Sequence, residues 1–356
     1  MMGRSEKRPG NEREDIAKDE IDSAIGSHFM KRVLVTEPMH DDGMSLLYDR
    51  DDVEVVVAPD VQPDTLAALM PGVHGIAVRV AKFPAELLAL APDLEVISRH
   101  GVGCDNLDVA HLSERGVPVA IANGANSSSV AEHTMAMALT MARRLPAVDA
   151  AVRTDNWQAR SQLLAHDLED AVMLVVGFGR IGRKVAPRAK AFGMEVIVAD
   201  IALDRALADS VGCEGIVDFR EALPKTDIVT FHIPLDDMNR NIMSTGEFEM
   251  MKPGGMLINC ARGGIVDEAA MLAALESGHL RAAGLDVFSD EPLSFDDPVL
   301  AALTKRDDVI LAPHTGAASH GAMRAMAVMA AQNILDCFDG VLVPENVFNP
   351  GVLEAA

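Results

Sequence analysis

The sequence predicts an α/β fold with two doubly wound parallel-sheet domains, and three observations support this prediction. The chain has 356 residues, a length that typically forms about two domains. Short apolar segments alternate with helical segments, which is typical of parallel sheets covered by helices. The segment Val172–Asp200 has the order strand, glycine-rich turn, helix, strand and acidic residue, which is the order of a dinucleotide-binding unit.

The glycine-rich turn has the sequence GFGRIG at residues 177–182. Gly177 permits a tight turn, Gly179 lets a pyrophosphate approach the backbone, and Gly182 lets the helix pack closely against the strand. Free amide groups at the start of the helix would bind the phosphates. Asp200 would accept hydrogen bonds from the adenosine ribose and repel a 2′-phosphate, which favours NAD over NADP. A glycine-rich turn that binds no ligand is the alternative interpretation.

The composition argues against several classes of partner. The formal net charge is -23, so the phosphates of a nucleic acid and the anionic lipids of a membrane are not expected partners. The four cysteines form no CxxC motif, and cysteines and histidines show no metal-ligand spacing. This pattern predicts reduced thiols, a cytoplasmic location and no metal site. No segment has the length and apolarity of a membrane span or of a signal peptide.

The first part of the chain is expected to contain an extension and then a small sheet. Residues 1–29 are charged and poor in large apolar side chains, which predicts a disordered extension, and Met30 is an alternative start. The strands expected next are Val33–Thr36, Val53–Ala58, Gly75–Val80, Leu94–Ser98 and Val117–Ala122, and the helices are Met44–Tyr48, Pro63–Leu69, Pro84–Leu90 and Leu107–Arg115.

The remainder is expected to form a second sheet. A helix over Ser127–Arg144 precedes Val148–Asp170, which is polar and irregular and is interpreted as an arm at a subunit contact. The strands expected after it are Val172–Val176, Val196–Ala199, Asp227–Ile233, Gly255–Ala261, Gly284–Phe288 and Val309–Ala312, and the helices are Arg205–Ser210, Thr245–Met251, Asp267–Glu276 and His320–Phe338.

Three polar residues follow strands of this second sheet, namely Arg262, Glu291 and His314. The carboxyl ends of strands in a doubly wound sheet face the ligand crevice, so these residues should lie there. Arg262 would bind a carboxylate with its planar guanidinium, and a structural salt bridge is the alternative. Glu291 would favour the protonated imidazole of His314, which makes the two a proton-transfer pair. Taken alone, His314 would be interpreted as a structural histidine.

Several motifs resemble those of one known family. They are GFGRIG (177–182), FHIPL (231–235), INCARGGIVDE (258–268), GLDVFSDEP (284–292), APHTGAAS (312–319), SRHGVGCDNLD (98–108) and NSSSVAEHT (126–134). From residue 31 to about residue 349 the chain resembles the NAD-dependent D-isomer-specific 2-hydroxyacid dehydrogenases, in particular phosphoglycerate dehydrogenases and hydroxypyruvate or glyoxylate reductases without a regulatory domain. The resemblance implies a flavodoxin-like substrate domain (30–126 and 318–356), a Rossmann NAD domain (127–317), a cleft between them, and a homodimer.

The resemblance also implies a role for individual residues. Arg262 would bind the substrate carboxylate and polarise the keto oxygen, His314 would transfer the proton, and Glu291 would keep His314 protonated. Asp286 would bind the nicotinamide carboxamide. The other implied cofactor-binding residues are Gly177, Gly179, Arg180, Ile181, Gly182, Asp200, His232, Pro234, Cys260, Ala261 and Gly316, with local packing as the alternative role of His232. The implied substrate-binding residues are Arg79, Val80, Ala81, Gly103, Arg262 and His314, with the amides of Val80 and Ala81 clamping the carboxylate.

The predicted function is the NAD-dependent interconversion of a 2-keto acid and a D-2-hydroxy acid. Arg79 and Lys82 could accept a phosphate, which favours 3-phosphoglycerate as substrate, with hydroxypyruvate or glyoxylate as close candidates. A solvated loop lysine is the alternative role of Lys82. The loop at residues 78–83 departs from the family pattern, which leaves the substrate open. A corepressor-like interaction protein that senses NAD(H) on the same fold is the alternative function.

Overall fold

The computed structural model describes residues 30–354, so the predicted N-terminal extension, residues 1–29, lies outside the described residues. The described residues form two compact units. The first contains the residues up to Asn123 and those from Ala327 onward, and the second is Gly124–Met326. The domain boundaries predicted from the resemblance lie after residues 126 and 317, and they stay a prediction. Each unit contains one sheet with parallel strand pairings, which confirms the predicted fold class.

The first unit contains a five-stranded sheet that is covered on both faces. Its elements are β1 (Lys31–Val35), α1 (Asp41–Tyr48), β2 (Val53–Val57), α2 (Pro63–Leu69), β3 (Gly75–Val78), α3 (Ala85–Leu88), β4 (Val96–Arg99), α4 (Val109–Glu114) and β5 (Val119–Ile121). The strand order is β2-β1-β3-β4-β5. Side chains alternate between the two faces of a strand. Val33 and Val35 therefore pack with Ala327 and Ile334, whereas Leu34 belongs to a separate buried cluster.

The second unit contains a seven-stranded sheet and most of the helices. Its strands are β6 (Val172–Val176), β7 (Glu195–Ala199), β8 (Glu214–Ile216), β9 (Ile228–Phe231), β10 (Gly255–Asn259), β11 (Leu280–Leu285) and β12 (Val309–Leu311). Its helices are α5 (Ser127–Arg143), α6 (Leu145–Arg153), α7 (Gly182–Ala191), α8 (Arg205–Ser210), α9 (Thr245–Met250), α10 (Glu268–Glu276), α11 (Pro298–Leu303) and α12 (His320–Phe338), the last of which ends in the first unit. The strand order is β12-β11-β10-β9-β6-β7-β8.

Two predicted helix boundaries in the second unit follow from local chemistry. The Asp267 carboxylate accepts a hydrogen bond of 3.0 Å from the Ala270 amide, which caps the start of α10. Gly193 follows the end of α7 with a φ of 78°, a left-handed conformation that glycine adopts without steric cost. Within residues 30–354, no helix combines the length and the apolar character needed to cross a bilayer.

The interpretation of Val148–Asp170 as wholly irregular was wrong. Helix α6 spans Leu145–Arg153, and a short 3-10 helix follows at Trp157–Ser161. The signal was present, because Leu145, Val148 and Val152 recur at helical spacing. No residue of α6 is buried, so its apolar side chains do not pack into the core of the unit. Strand β8 and helix α11 were also not predicted, since each is too short for a clear period.

Candidate functional site

The carboxyl ends of three adjacent strands carry the residues predicted to perform proton transfer and anion binding. Strands β10, β11 and β12 are neighbours in the sheet, and their ends lead to Arg262, to Glu291 and to His314. His314 and Glu291 are in direct contact: Nδ1 of the imidazole lies 2.7 Å from Oε2 of the carboxylate. The second unit therefore brings the predicted pair together, with Arg262 at the end of the strand next to β11.

The charges around His314 favour the imidazolium form. The hydrogen bond to Glu291 is the main cause that raises the pKa of His314 above its ordinary value. Burial and the positive charge of Arg262 oppose this shift. Burial alone would raise the pKa of Glu291, but the hydrogen bonds from His314 and from the Phe288 amide hold it below its ordinary value. The side chain of His314 remains 51% exposed, so a reactant can reach it.

The backbone of His314 is held in an unusual conformation. Its φ is 53°, in the left-handed region that non-glycine residues rarely adopt. The amide of His314 donates to the carbonyl oxygen of Asp286 at 2.8 Å. The Asp286 carboxylate in turn accepts the amides of Thr315 at 2.7 Å and of Gly316 at 2.8 Å. Asp286 therefore holds the turn that carries the imidazole with both its backbone carbonyl and its carboxylate.

Arg262 is positioned by a buried amide side chain. Asn259, which is 1% exposed, accepts the Ala261 amide and donates to the Arg262 carbonyl at 2.8 Å. Gly263 lies so close to the segment that follows β11 that a Cβ on Gly263 would be 1.8 Å from the carbonyl oxygen of Phe288. Only glycine permits this approach. The loop with Arg262 and the loop with Glu291 consequently pack backbone to backbone.

Two helix α5 residues support the same site and were not identified from the sequence. The Ser129 hydroxyl donates to the carbonyl oxygen of Gly316 at 2.7 Å. His133, one helical turn later, places Nε2 at 3.4 Å from Oδ1 of Asp286, which is longer than a well-formed hydrogen bond. No local signal distinguished them, because the same helix also carries other polar residues, namely Ser127, Ser128, Glu132 and Thr134.

The role of Asp286 as a ligand of the nicotinamide stays a prediction. Its side chain is 2% exposed, and both oxygens already accept backbone amides. Oδ1 also accepts the Thr315 hydroxyl at 3.4 Å, whereas Oδ2 has a further lone pair that could accept one more donor. Burial alone would raise the pKa of Asp286, but the contacts with His133, Thr315 and Gly316 lower it, so the group is an anion.

The glycine turn fits a dinucleotide. A Cβ at Gly177 would lie 2.5 Å from the carbonyl oxygen of His232, and one at Gly182 would lie 2.0 Å from that of Gly177. A Cβ at Gly179 would meet nothing within 4 Å, so the surface over this residue is open. Among the described residues, the amides of Arg180 and Ile181 donate to no protein acceptor. An open concave turn with free amides at the start of α7 is what a pyrophosphate requires.

Asp200 directly follows β7 and lies beside this turn. Its Oδ2 accepts the Phe178 amide at 2.7 Å and its Oδ1 accepts the Ala202 amide at 2.9 Å. These bonds hold the carboxylate at the edge of the glycine turn. Its role in ribose binding stays a prediction.

The remaining predicted cofactor residues lie on the same edge of the sheet. His232 and Pro234 follow β9, Cys260 and Ala261 follow β10, and Gly316 follows His314. Burial lowers the pKa of His232 to about 3, and its Nε2 lies 3.1 Å from the Thr230 hydroxyl. These facts favour a packing role for the His232 side chain. Burial also raises the pKa of Cys260 to about 12, so its thiol is protonated.

The predicted substrate residues Arg79, Val80, Ala81 and Gly103 lie in the first unit, on loops that follow β3 and β4. The carboxylate of Glu37, a residue not identified from the sequence, accepts the Val80 amide at 2.7 Å and the Ala81 amide at 2.9 Å. The predicted clamp for a substrate carboxylate is therefore occupied by a carboxylate of the protein.

Comparisons with known proteins match both units. Residues 135–316 match the family model described as D-isomer specific 2-hydroxyacid dehydrogenase, NAD binding domain. The chain is 37% identical over 321 residues to the D-3-phosphoglycerate dehydrogenase of Methanocaldococcus jannaschii, with 90% of this chain and 60% of that protein covered. It is 32% identical over 333 residues to the glyoxylate reductase of Thermococcus litoralis, with 91% and 98% covered.

A solved structure has the same fold. The D-lactate dehydrogenase of Aquifex aeolicus, crystallised with NAD and lactic acid, matches with a TM-score of 0.79 and 28% identity over 89% of this chain and 99% of that chain. The curated phosphoglycerate dehydrogenases are longer, since this chain spans about 60% of the length of the first two that it matches.

Proposed function

Because this chain belongs to the D-isomer specific 2-hydroxyacid dehydrogenase family, we propose that it interconverts a 2-keto acid and a D-2-hydroxy acid with NAD as cofactor. The observation that carries the proposal is the contact of 2.7 Å between His314 and Glu291, with Arg262 just after the neighbouring strand β10. A proton donor beside an anion-binding cation is what the reduction of a keto acid requires.

Each residue has one task in this mechanism. Arg262 binds the substrate carboxylate and directs positive charge at the keto oxygen, where negative charge develops. His314, protonated because of Glu291, gives its proton to that oxygen, and in the reverse direction it takes the proton from the hydroxyl. When bound, the nicotinamide supplies or accepts the hydride. Asp286 keeps the His314 turn in place through its backbone and its carboxylate.

The pH dependence should reveal the His314–Glu291 contact. Keto-acid reduction needs the imidazolium form of His314. The kcat/KM for reduction is therefore retained below the pKa of His314 and is lost as the pH rises through that pKa. Glu291→Gln removes the main cause of the raised pKa. We expect the reduction profile of this variant to fall at lower pH than in the wild type, and the oxidation profile to rise at lower pH. Steady-state rates from pH 5 to 10 would measure both shifts.

Glu276→Gln is the matched control, because Glu276 is an exposed carboxylate at the end of α10. Its profile should coincide with that of the wild type. Coinciding profiles for Glu291→Gln and the wild type would contradict the proposed role of Glu291.

For the substrate, we propose 3-phosphoglycerate as the first candidate and hydroxypyruvate or glyoxylate as the next. Within the described residues, the side chains of Arg79 and Lys82 form no hydrogen bond or ion pair, so both cations are available to a phosphate. Two matched relatives are named for 3-phosphoglycerate and for glyoxylate.

NADH oxidation with phosphohydroxypyruvate, hydroxypyruvate, glyoxylate and pyruvate tests the proposal. We expect turnover of at least one acid. NADH binding without turnover across this panel would favour the corepressor-like alternative instead.

We also propose that the protein is a cytoplasmic homodimer. Exposed apolar side chains on α6 and on the 3-10 helix that follows it support this assembly, since Leu145 is 50%, Val152 is 61% and Trp157 is 63% exposed. Apolar side chains grouped in this way mark an interaction surface. Light scattering should give twice the mass of one chain, and replacing Val148 and Val152 together by Glu should give the mass of one chain. A monomeric wild type would contradict the homodimer.

A further inference from the structure

The loop after β3 contains three consecutive amides that bind one carboxylate. The amide of Arg79 donates to Oε2 of Glu37 at 3.1 Å, and the amides of Val80 and Ala81 donate to Oε1 at 2.7 and 2.9 Å. Consecutive amides that converge in this way form an anion-binding concavity. Glu37 lies two residues beyond β1, and β1 is the neighbour of β3 in the sheet. The strand pairing therefore places the Glu37 carboxylate beside the loop that follows β3.

The same loop is held from its other side by the chain near Asn106. The Asn106 side chain donates to the carbonyl oxygen of Ala81 at 2.6 Å. The amide of Phe83 donates to the Asn106 carbonyl at 2.8 Å, and that of Asp108 donates to the Phe83 carbonyl at 3.0 Å. The loop is therefore fixed on both sides, while Val80 remains 64% exposed at its centre.

An anionic substrate cannot use these amides while Glu37 is bound to them. A second carboxylate would compete for the same three donors, and it would be repelled by the charge of Glu37. The side chains of Arg79 and Lys82 are not subject to this competition, because neither forms a hydrogen bond or ion pair within the described residues.

We propose that Glu37 is a positioning residue for substrate binding, which holds the amides of residues 79–81 so that the loop recognises the substrate through its side chains. This inference deepens the proposed function and depends on it. It also revises the expectation that the amides of Val80 and Ala81 clamp the substrate. Glu37 does not touch the reacting atoms in this role, and it acts through the shape of the loop.

The test compares Glu37→Ala and Glu37→Gln with Glu86→Ala. Glu86 is an exposed carboxylate on α3, so its removal changes the charge near the loop without removing an amide contact. Glutamine keeps an acceptor for Val80 and Ala81 but presents an NH2 group to the Arg79 amide. Three measurements are needed. They are amide hydrogen exchange at residues 79–81, the KM and kcat for the best keto acid, and the Kd for NADH.

We expect Glu37→Ala to remove the exchange protection of residues 79–81 and to raise KM about tenfold or more, as displaced binding groups do. The Kd for NADH should not change, Glu37→Gln should be intermediate, and Glu86→Ala should match the wild type. Sodium acetate, compared with sodium chloride at equal ionic strength, should partly restore the protection in Glu37→Ala, since acetate can occupy the vacated amides.

A decreased KM in Glu37→Ala would overturn the inference, because it would show that Glu37 competes with the substrate for the amides. Unchanged exchange at residues 79–81 would overturn it as well. Failure of the proposed function has a different signature, namely a wild type without turnover of any acid. In that case the exchange measurement still decides whether Glu37 holds the loop.

Discussion

Replacing His314 by Asn should reduce the rate of keto-acid reduction about 10²- to 10⁴-fold, the range that general acid catalysis contributes. Asparagine cannot donate a proton as an acid at neutral pH. It does tolerate the left-handed backbone that His314 adopts at φ 53°, so the turn should keep its shape. The NADH affinity should therefore remain that of the wild type. Single-turnover reduction and NADH titration by fluorescence would measure the two effects separately.

His320→Asn is the matched control for this variant. His320 is an exposed histidine at the start of α12, six residues after His314, and it has no place in the proposed mechanism. Its rate should equal that of the wild type. If His314→Asn lost NADH binding to the same degree as reduction, the assignment of His314 as the proton donor would be wrong.

Replacing Arg262 by Lys should lower kcat/KM about 10²- to 10³-fold, as the loss of one donor to a developing oxyanion does. Lysine keeps the positive charge but lacks the planar pair of donors that binds a carboxylate at two points. Since this interaction is needed both to bind the acid and to stabilise its reduction, KM should rise and kcat should fall together. Initial rates over a range of keto-acid concentrations would separate the two.

The control for this change is Arg205→Lys. Arg205 is exposed on α8, where its guanidinium donates to the Gly215 carbonyl at 3.1 Å. This variant should retain full activity. An Arg262→Lys enzyme with unchanged KM would show that the guanidinium does not bind the substrate carboxylate.

Much of the second unit was predictable because its signals are local in sequence. The order of strand, glycine turn, helix and acidic residue places Gly177, Gly182 and Asp200 before any tertiary contact is known. The ends of apolar strands likewise locate Arg262 and His314, since parallel strands share one carboxyl edge. The His314–Glu291 contact was predicted from these positions, and the structure provides its distance of 2.7 Å.

The residues that were missed act over long sequence separations. Glu37 follows β1 and binds the amides of residues 79–81, which follow the neighbouring strand β3. His133 approaches Asp286 from helix α5, which lies far earlier in the sequence. Neither side chain has a local pattern that distinguishes it from an ordinary polar residue. Helix α6 was missed for another reason, since its apolar residues are exposed and so do not contribute to the core of the unit.

The close approach of Gly263 to the Phe288 carbonyl has a consequence for thermal fluctuations. Two segments whose main chains leave no room for a Cβ between them cannot open independently, because displacing either one exposes the other. The guanidinium of Arg262 and the acidic partner of His314 therefore belong to a single cooperative opening unit. Heat or denaturant should abolish anion binding and proton transfer in one step, with no intermediate that keeps one and has lost the other.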